Sequence, residues 1–327
     1  MWNLKILKEI HMRTLFFTLF ICFLCFSTSA SAQNATQPKP LAPVTMQDGI
    51  VFEPMKFALI SGYTTFDQNR IYTGSSQDDP GFGKRQRTTH AGSLTFRAGL
   101  FEGFEALLTA TAFNKELERK NAMGKTDASE VEGLGDLQIM GRWQALSQKK
   151  GAPLSLALGL GLEIPTADSD NRNSFGTQPY MGPFLQLGTG SWNPKATLSA
   201  TRVFGRYRLD GQLMYTLNTE GEHDLEKGDL FQYNVGGGYA LNTFLTLGLA
   251  MNGMHQEKNR QQLEPGVTGY DANSGCDMLF LTPEISCMIE KLNTTLGLAV
   301  PVAVYTDMEG TQPAEDYRIV AKLSVKF

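Results

Sequence analysis

The last eleven residues constrain the fold more than any other stretch. Tyr317, Ile319, Ala321, Leu323, Val325 and Phe327 alternate with Arg318, Val320, Lys322, Ser324 and Lys326, and the chain stops on the aromatic ring. A period of two belongs to a strand. An apolar face, a cationic face and a terminal Phe suit a closing strand that meets lipid on one side and an enclosed lumen on the other, with the ring at the membrane interface.

The same alternation recurs upstream. Leu154, Leu156, Leu158, Leu160, Leu162 and Ile164 are set against Ser155, Ala157, Gly159, Gly161 and Glu163. Tyr207, Leu209, Gly211, Leu213, Tyr215 and Leu217 are set against Arg208, Asp210, Gln212, Met214 and Thr216, and Leu296, Leu298, Val300, Val302 and Val304 against small residues and Pro301. Charge on a lipid face costs about 2–4 kcal/mol at the membrane midplane, so the apolar set faces outward and the polar set lines the lumen. An open sheet edge in lipid would strand backbone groups, so the sheet must close.

The connections sort into two kinds that alternate along the chain. Short ones lie near residues 101–103, 148–152, 204–206, 242–243 and 291–293; long polar ones lie at about 69–87, 119–132, 165–190, 219–229, 257–275 and 307–316. Short turns at one end and long loops at the other are the asymmetry of an outer-membrane barrel. The segments between them predict an all-β, transmembrane, antiparallel up-and-down β-barrel of about twelve strands over residues 55–327, with both termini periplasmic. Pro283 and Pro301 interrupt predicted strands, and each requires a bulge or a missing ladder bond.

Residues 1–32 have the form of a secretory signal peptide: Lys5, Lys8 and Arg13, an apolar run from Leu15 to Phe26, then Ala30-Ser31-Ala32. Its removal takes three basic and one acidic residue and moves the net charge from −4 to −6, which argues against a nucleic-acid partner. Residues 33–54, rich in Pro and Gln, read as a flexible periplasmic leader. It is too short for the plug domain of an energy-coupled receptor, so passive flux is expected. Cys276 and Cys287 lie eleven residues apart on one predicted strand, roughly 35 Å, and are expected as free thiols.

Alternation assigns Arg97, Asp136, Arg142, Glu163, Arg208, Asp210, Gln212, Glu284, Arg318 and Lys322 to the lumen, with Gln138, Asn234 and Asn252. They could form a polar path or constriction, or a salt-bridge network that fills the bore. Arg318 and Lys322 are expected to seek carboxylates such as Glu163 or Glu284. The 165–190 loop holds Phe175, Tyr180, Met181, Phe184, Leu185 and Leu187, apolar content that does not suit an external loop in water. Either it folds into the barrel mouth as a constriction or hydrophobic-ligand site, or its second half extends the sixth strand. Phe327 is the expected assembly signal.

Gly133-Leu134-Gly135-Asp136-Leu137, then Arg142-Trp143, Ile164-Pro165-Thr166, the Gly188 to Trp192 stretch and Tyr215-Thr216-Leu217-Asn218 follow one another in an order similar to a known family. The chain resembles, over about residues 55–327, the outer-membrane β-barrel family assigned to transport in the phenol meta-cleavage (MetA) degradation pathway. The apolar Gln178–Leu187 segment departs from that family's pattern. The resemblance implies transport of small hydrophobic or aromatic compounds.

An outer-membrane lipid hydrolase is the rival class. His90 sits on the predicted lipid face near the outer rim, but Gly92 stands where such enzymes place a serine, and no nucleophile is in reach of the base. The scattered His90, His223 and His255 have no metal spacing, and nothing indicates a cofactor. A closed structural or adhesion barrel with binding loops is the other alternative. The expected reading is therefore a non-enzymatic, porin-like barrel in the cell outer membrane of a Gram-negative bacterium. Its expected partners are outer-membrane lipid and lipopolysaccharide, the barrel assembly machinery and a small-molecule solute.

Overall fold

The structure is a computed structural model that describes residues 38–78, 85–120, 126–171, 182–264 and 267–327. The expected signal peptide lies outside the described residues, as do Phe175, Tyr180 and Met181. The strands are β1 (Phe57–Gly74), β2 (Ser76–Asp78), β3 (Arg85–Phe101), β4 (Phe104–Lys120), β5 (Thr126–Leu134), β6 (Leu137–Leu146), β7 (Ser155–Ile164), β8 (Asn193–Phe204), β9 (Tyr207–Thr216), β10 (Leu230–Ala240), β11 (Leu245–Gln256), β12 (Arg260–Glu264), β13 (Val267–Tyr270), β14 (Cys276–Ile289), β15 (Thr294–Ala299) and β16 (Val302–Lys326).

Each wall strand pairs antiparallel with its neighbour in the chain, and β16 pairs with β1 from Ala58↔Lys326 upward, which closes a twelve-stranded barrel. β5 and β6 are two halves of one wall strand, both paired with β4. β15 and the first part of β16 are likewise two halves of one strand beside β14. That second break falls at Val300-Pro301, next to Pro283, where the missing proline donors leave the ladder incomplete. β2 and the β12–β13 hairpin stand above the wall at the long-loop end.

Several connections are shorter than the sequence suggests. The expected 307–316 loop is instead a hairpin within β16 that reverses at Gly310, whose φ of 73° suits glycine. β5 occupies the second half of the expected 119–132 loop, and β1 runs on to Gly74. These segments are too polar to have been read as membrane strands, and they carry the ladder beyond the apolar band.

Alternation assigns the two faces correctly. Leu160 is 75% exposed on the outer face, whereas Ala157 of the same strand and its register partner Ser199 are fully buried inside. Stacked rings mark the short-turn end: Phe101–Phe104 at 4.8 Å, Phe204–Tyr207 at 5.7 Å and Phe57–Phe327 at 6.1 Å. Phe327 also exchanges backbone hydrogen bonds with Phe57, at 2.9 and 3.0 Å, so the terminal residue completes the closing seam. Cys276 and Cys287 sit on β14 as free thiols.

Candidate functional site: a strapped lumen

Residues 38–54 are not a free leader. They enter the lumen at the short-turn end, where the Leu41 amide donates to Thr246 Oγ1 (3.0 Å) near the start of β11. They reach deepest near Thr45 and Gln47, beside Glu284 and Gln212. They return to the same end at Phe52, whose amide donates to Glu105 Oε2 at 2.7 Å. This strap joins no sheet, so wall side chains satisfy its backbone, as buried amides require. Val44 and Thr45 donate to the two carboxylate oxygens of Glu284 at 3.0 and 3.1 Å, Gly49 to Thr201 Oγ1 at 2.8 Å, and Val51 to Gln144 Oε1 at 2.8 Å. In return Lys322 donates to the Pro43 carbonyl at 2.9 Å, Gln144 to that of Gly49 at 2.7 Å, Arg97 to that of Ile50, and Arg142 to that of Asp48. The wall yields room where the strap comes close: a Cβ on Gly297 would stand 2.7 Å from Val44.

Charged residues at this end form one connected chain. Glu105, fully buried, accepts from Arg142 at 2.7 Å and Arg97 at 2.8 Å. Asp48 of the strap lies 3.6 Å from Arg97 and 3.1 Å from Arg208, and Arg208 pairs with Asp210 at 2.6 Å. Buried charges are tolerable only when paired and hydrogen-bonded, and here the pairing is continuous across the bore. The charged set and the strap therefore span the short-turn half of the lumen.

The long-loop half is built differently. Met278, Phe280, Met308 and Ala314 form a buried apolar cluster with Met254, Cys276, Ala303 and Tyr72 on the β11–β14–β16–β1 side. Arg318 pairs with Glu315 rather than with Glu163 or Glu284, and its guanidinium lies over the rings of Phe280 (4.6 Å) and Phe66 (5.2 Å). Lys322 takes strap carbonyls in place of a carboxylate. Glu163 pairs with Lys195 at 2.7 Å.

On the opposite side, the described end of the 165–190 loop packs against the wall and does not extend β8. Pro183–Leu185 make one 3-10 turn, and Leu185 and Leu187 are buried with Phe184 against Phe113, Leu117 and Val131. Asp136 holds this arrangement. Its carboxylate accepts from the amides of Thr166 (3.0 Å), Ala167 (3.0 Å) and Thr189 (3.1 Å), at the break between β5 and β6. It clamps both ends of the loop and does not line an open path. Gln212 is likewise committed, to Asn234 and the strap.

Sequence reasoning missed Asp48, Glu105, Gln144 and Thr201. The last three were available from alternation, since they share the inward parity of Arg97, Arg142 and Ser199. Asp48 was not, because the strap has no periodicity. The structure also brings Asp170, Glu222 and His223 together on two neighbouring loops, with ligand atoms all within 4.8 Å and exposed. His90 lies on the outer face, 2.9 Å from both Tyr63 Oη and Thr65 Oγ1.

A family model described as "Putative MetA-pathway of phenol degradation" matches residues 69–276, most of the wall and the loop held by Asp136. The chain belongs to that family. Among solved structures it resembles an outer membrane channel from Pseudomonas putida F1, with a TM-score of 0.63 at 13% identity over 87% of this chain and 100% of that one. The β domain of the Bordetella autotransporter BrkA is a weaker likeness, with a TM-score of 0.48 at 9% identity over 84% of this chain and 100% of that one. The closed antiparallel barrel with its apolar outer surface is that of an outer-membrane protein.

Proposed function

We propose that the protein is a passive outer-membrane channel for small, predominantly hydrophobic or aromatic solutes, whose lumen is closed at rest by the strap. The observation that carries this is the division of the lumen. The long-loop half holds a buried apolar cluster around Phe280 and Met278, and the short-turn half is bridged by residues 38–54 held through polar side chains. An apolar solute gains by entering the first half and cannot cross the second until the strap moves. We take the short-turn end as periplasmic, following the loop asymmetry of such barrels. The membrane lipid and lipopolysaccharide then surround the apolar band, and the barrel assembly machinery reads the Phe327 strand. The reading is non-enzymatic: His90 shares its Nδ1 with a tyrosine and a threonine, and among the described residues no carboxylate orients it as a base.

The test is uptake of a radiolabelled monoaromatic solute by cells with and without the protein, before and after an uncoupler. Faster uptake with the protein that survives the uncoupler supports a passive channel. Equal uptake in both strains removes the channel reading and leaves a closed barrel with binding loops.

A further inference from the structure

Between the strap and the β1–β15–β16 wall lies a cavity of roughly 250 Å³ whose chemistry the strap does not fully answer. Arg97, Arg208, Lys322 and Lys326 line it, against the one carboxylate of Asp48. Arg97 and Arg208 have wall partners in Glu105 and Asp210. Lys322 has only main-chain carbonyls, and among the described residues neither Lys322 nor Lys326 forms an ion pair. Four cationic side chains around this cavity, with Lys326 open to solvent, against the single lining carboxylate of Asp48 leave a local excess of positive charge, which a bound anion would relieve. The rest of the lining is mostly apolar, with Val44, Ile50, Phe52, Ile60 and Met288 beside the hydroxyls of Ser286, Thr295 and Ser324. A few convergent charges on a mostly apolar wall select a ligand with an anionic head and a compact apolar body.

We propose that this cavity binds a small amphipathic monocarboxylate, an aromatic or short aliphatic acid, with its carboxylate between Lys322 and Lys326 and its body against Ile60 and Met288. This deepens the channel reading by naming a solute class for its short-turn end, and it rests on that reading only for the role of the site, not for the site's existence. An inorganic anion shares the charge but lacks the body, so the two are separated by experiment.

The test is isothermal titration calorimetry of the full chain in uncharged detergent, with benzoate, benzyl alcohol and inorganic phosphate as probes. Saturable benzoate binding is expected, with benzyl alcohol and phosphate each at least about tenfold weaker, because one lacks the charge and the other the apolar body. Lys326→Gln should weaken benzoate about tenfold without lowering the thermal midpoint, and Lys322→Gln should weaken it similarly. No saturable benzoate heat, benzyl alcohol or phosphate binding as tightly as benzoate, or an unchanged constant in both lysine variants would each overturn the proposal. The assay reads binding and not flux, so its failure leaves the channel reading standing, and failure of the uptake test leaves this one standing.

Discussion

Gly49→Val separates the strap from the wall in a single substitution. The Gly49 amide donates to Thr201 Oγ1 at 2.8 Å and its carbonyl accepts from Gln144 at 2.7 Å. A Cβ there would stand 2.5 Å from the Ser155 carbonyl oxygen, 2.7 Å from that of Ser199 and 2.8 Å from the Thr201 nitrogen. Those atoms belong to the β7–β8 ladder, whose register fixes them, so the strap must withdraw. Overpacking costs about 1–3 kcal/mol, and the two lost hydrogen bonds cost about 0.5–1.5 kcal/mol each. Even about 3 kcal/mol in total shifts the balance between seated and displaced strap by roughly 10²-fold. The assay is single-channel recording in planar bilayers. The variant should open roughly a hundred times more often than the wild type, and its strap should become sensitive to protease, while the thermal midpoint of the barrel moves little. Unchanged open probability together with cleavage of the strap in the variant would refute the argument that the strap is the gate. An intact, protease-resistant strap would refute the packing argument itself.

Two further perturbations probe other joints. Asp136→Ala removes the acceptor from three loop amides at about 1–3 kcal/mol each, so the 165–190 loop should become protease-sensitive and the thermal midpoint should fall; Asp136→Asn, which keeps one carbonyl acceptor, should lie between. Deleting Phe327 removes the stack on Phe57 and the reciprocal backbone bonds at the seam, so barrel insertion should fail while export across the inner membrane persists, as fractionation would show; normal insertion of the truncated chain would count against the closing-seam argument.

The wall was legible because a strand declares itself locally. In Leu154 to Ile164 each residue states by its polarity which face it occupies, and lipid outside makes the statement unambiguous. Arg97, Arg142, Arg208 and Lys322 were placed inside on that ground, and they are inside. Their partners were a different matter. Lys322 was expected to find a carboxylate and instead holds the Pro43 carbonyl, because pairing depends on which strands face each other across the bore and on a segment that carries no pattern of its own. The loops were misjudged for a related reason. Polar residues at 119–132 and 307–316 look like turns, yet the ladder continues through them, since hydrogen bonding between strands does not require an apolar face once the chain has left the lipid.

Sequence alone determined the barrel: strand alternation and loop lengths are local properties that lipid reads one residue at a time. Only the tertiary structure decided that a strap crosses the lumen. The strap has neither periodicity nor a strand partner, and its place is set by amides that must be satisfied and by side chains on β3, β4, β6, β8, β9, β11, β14 and β16 that meet only once the sheet has curled round on itself.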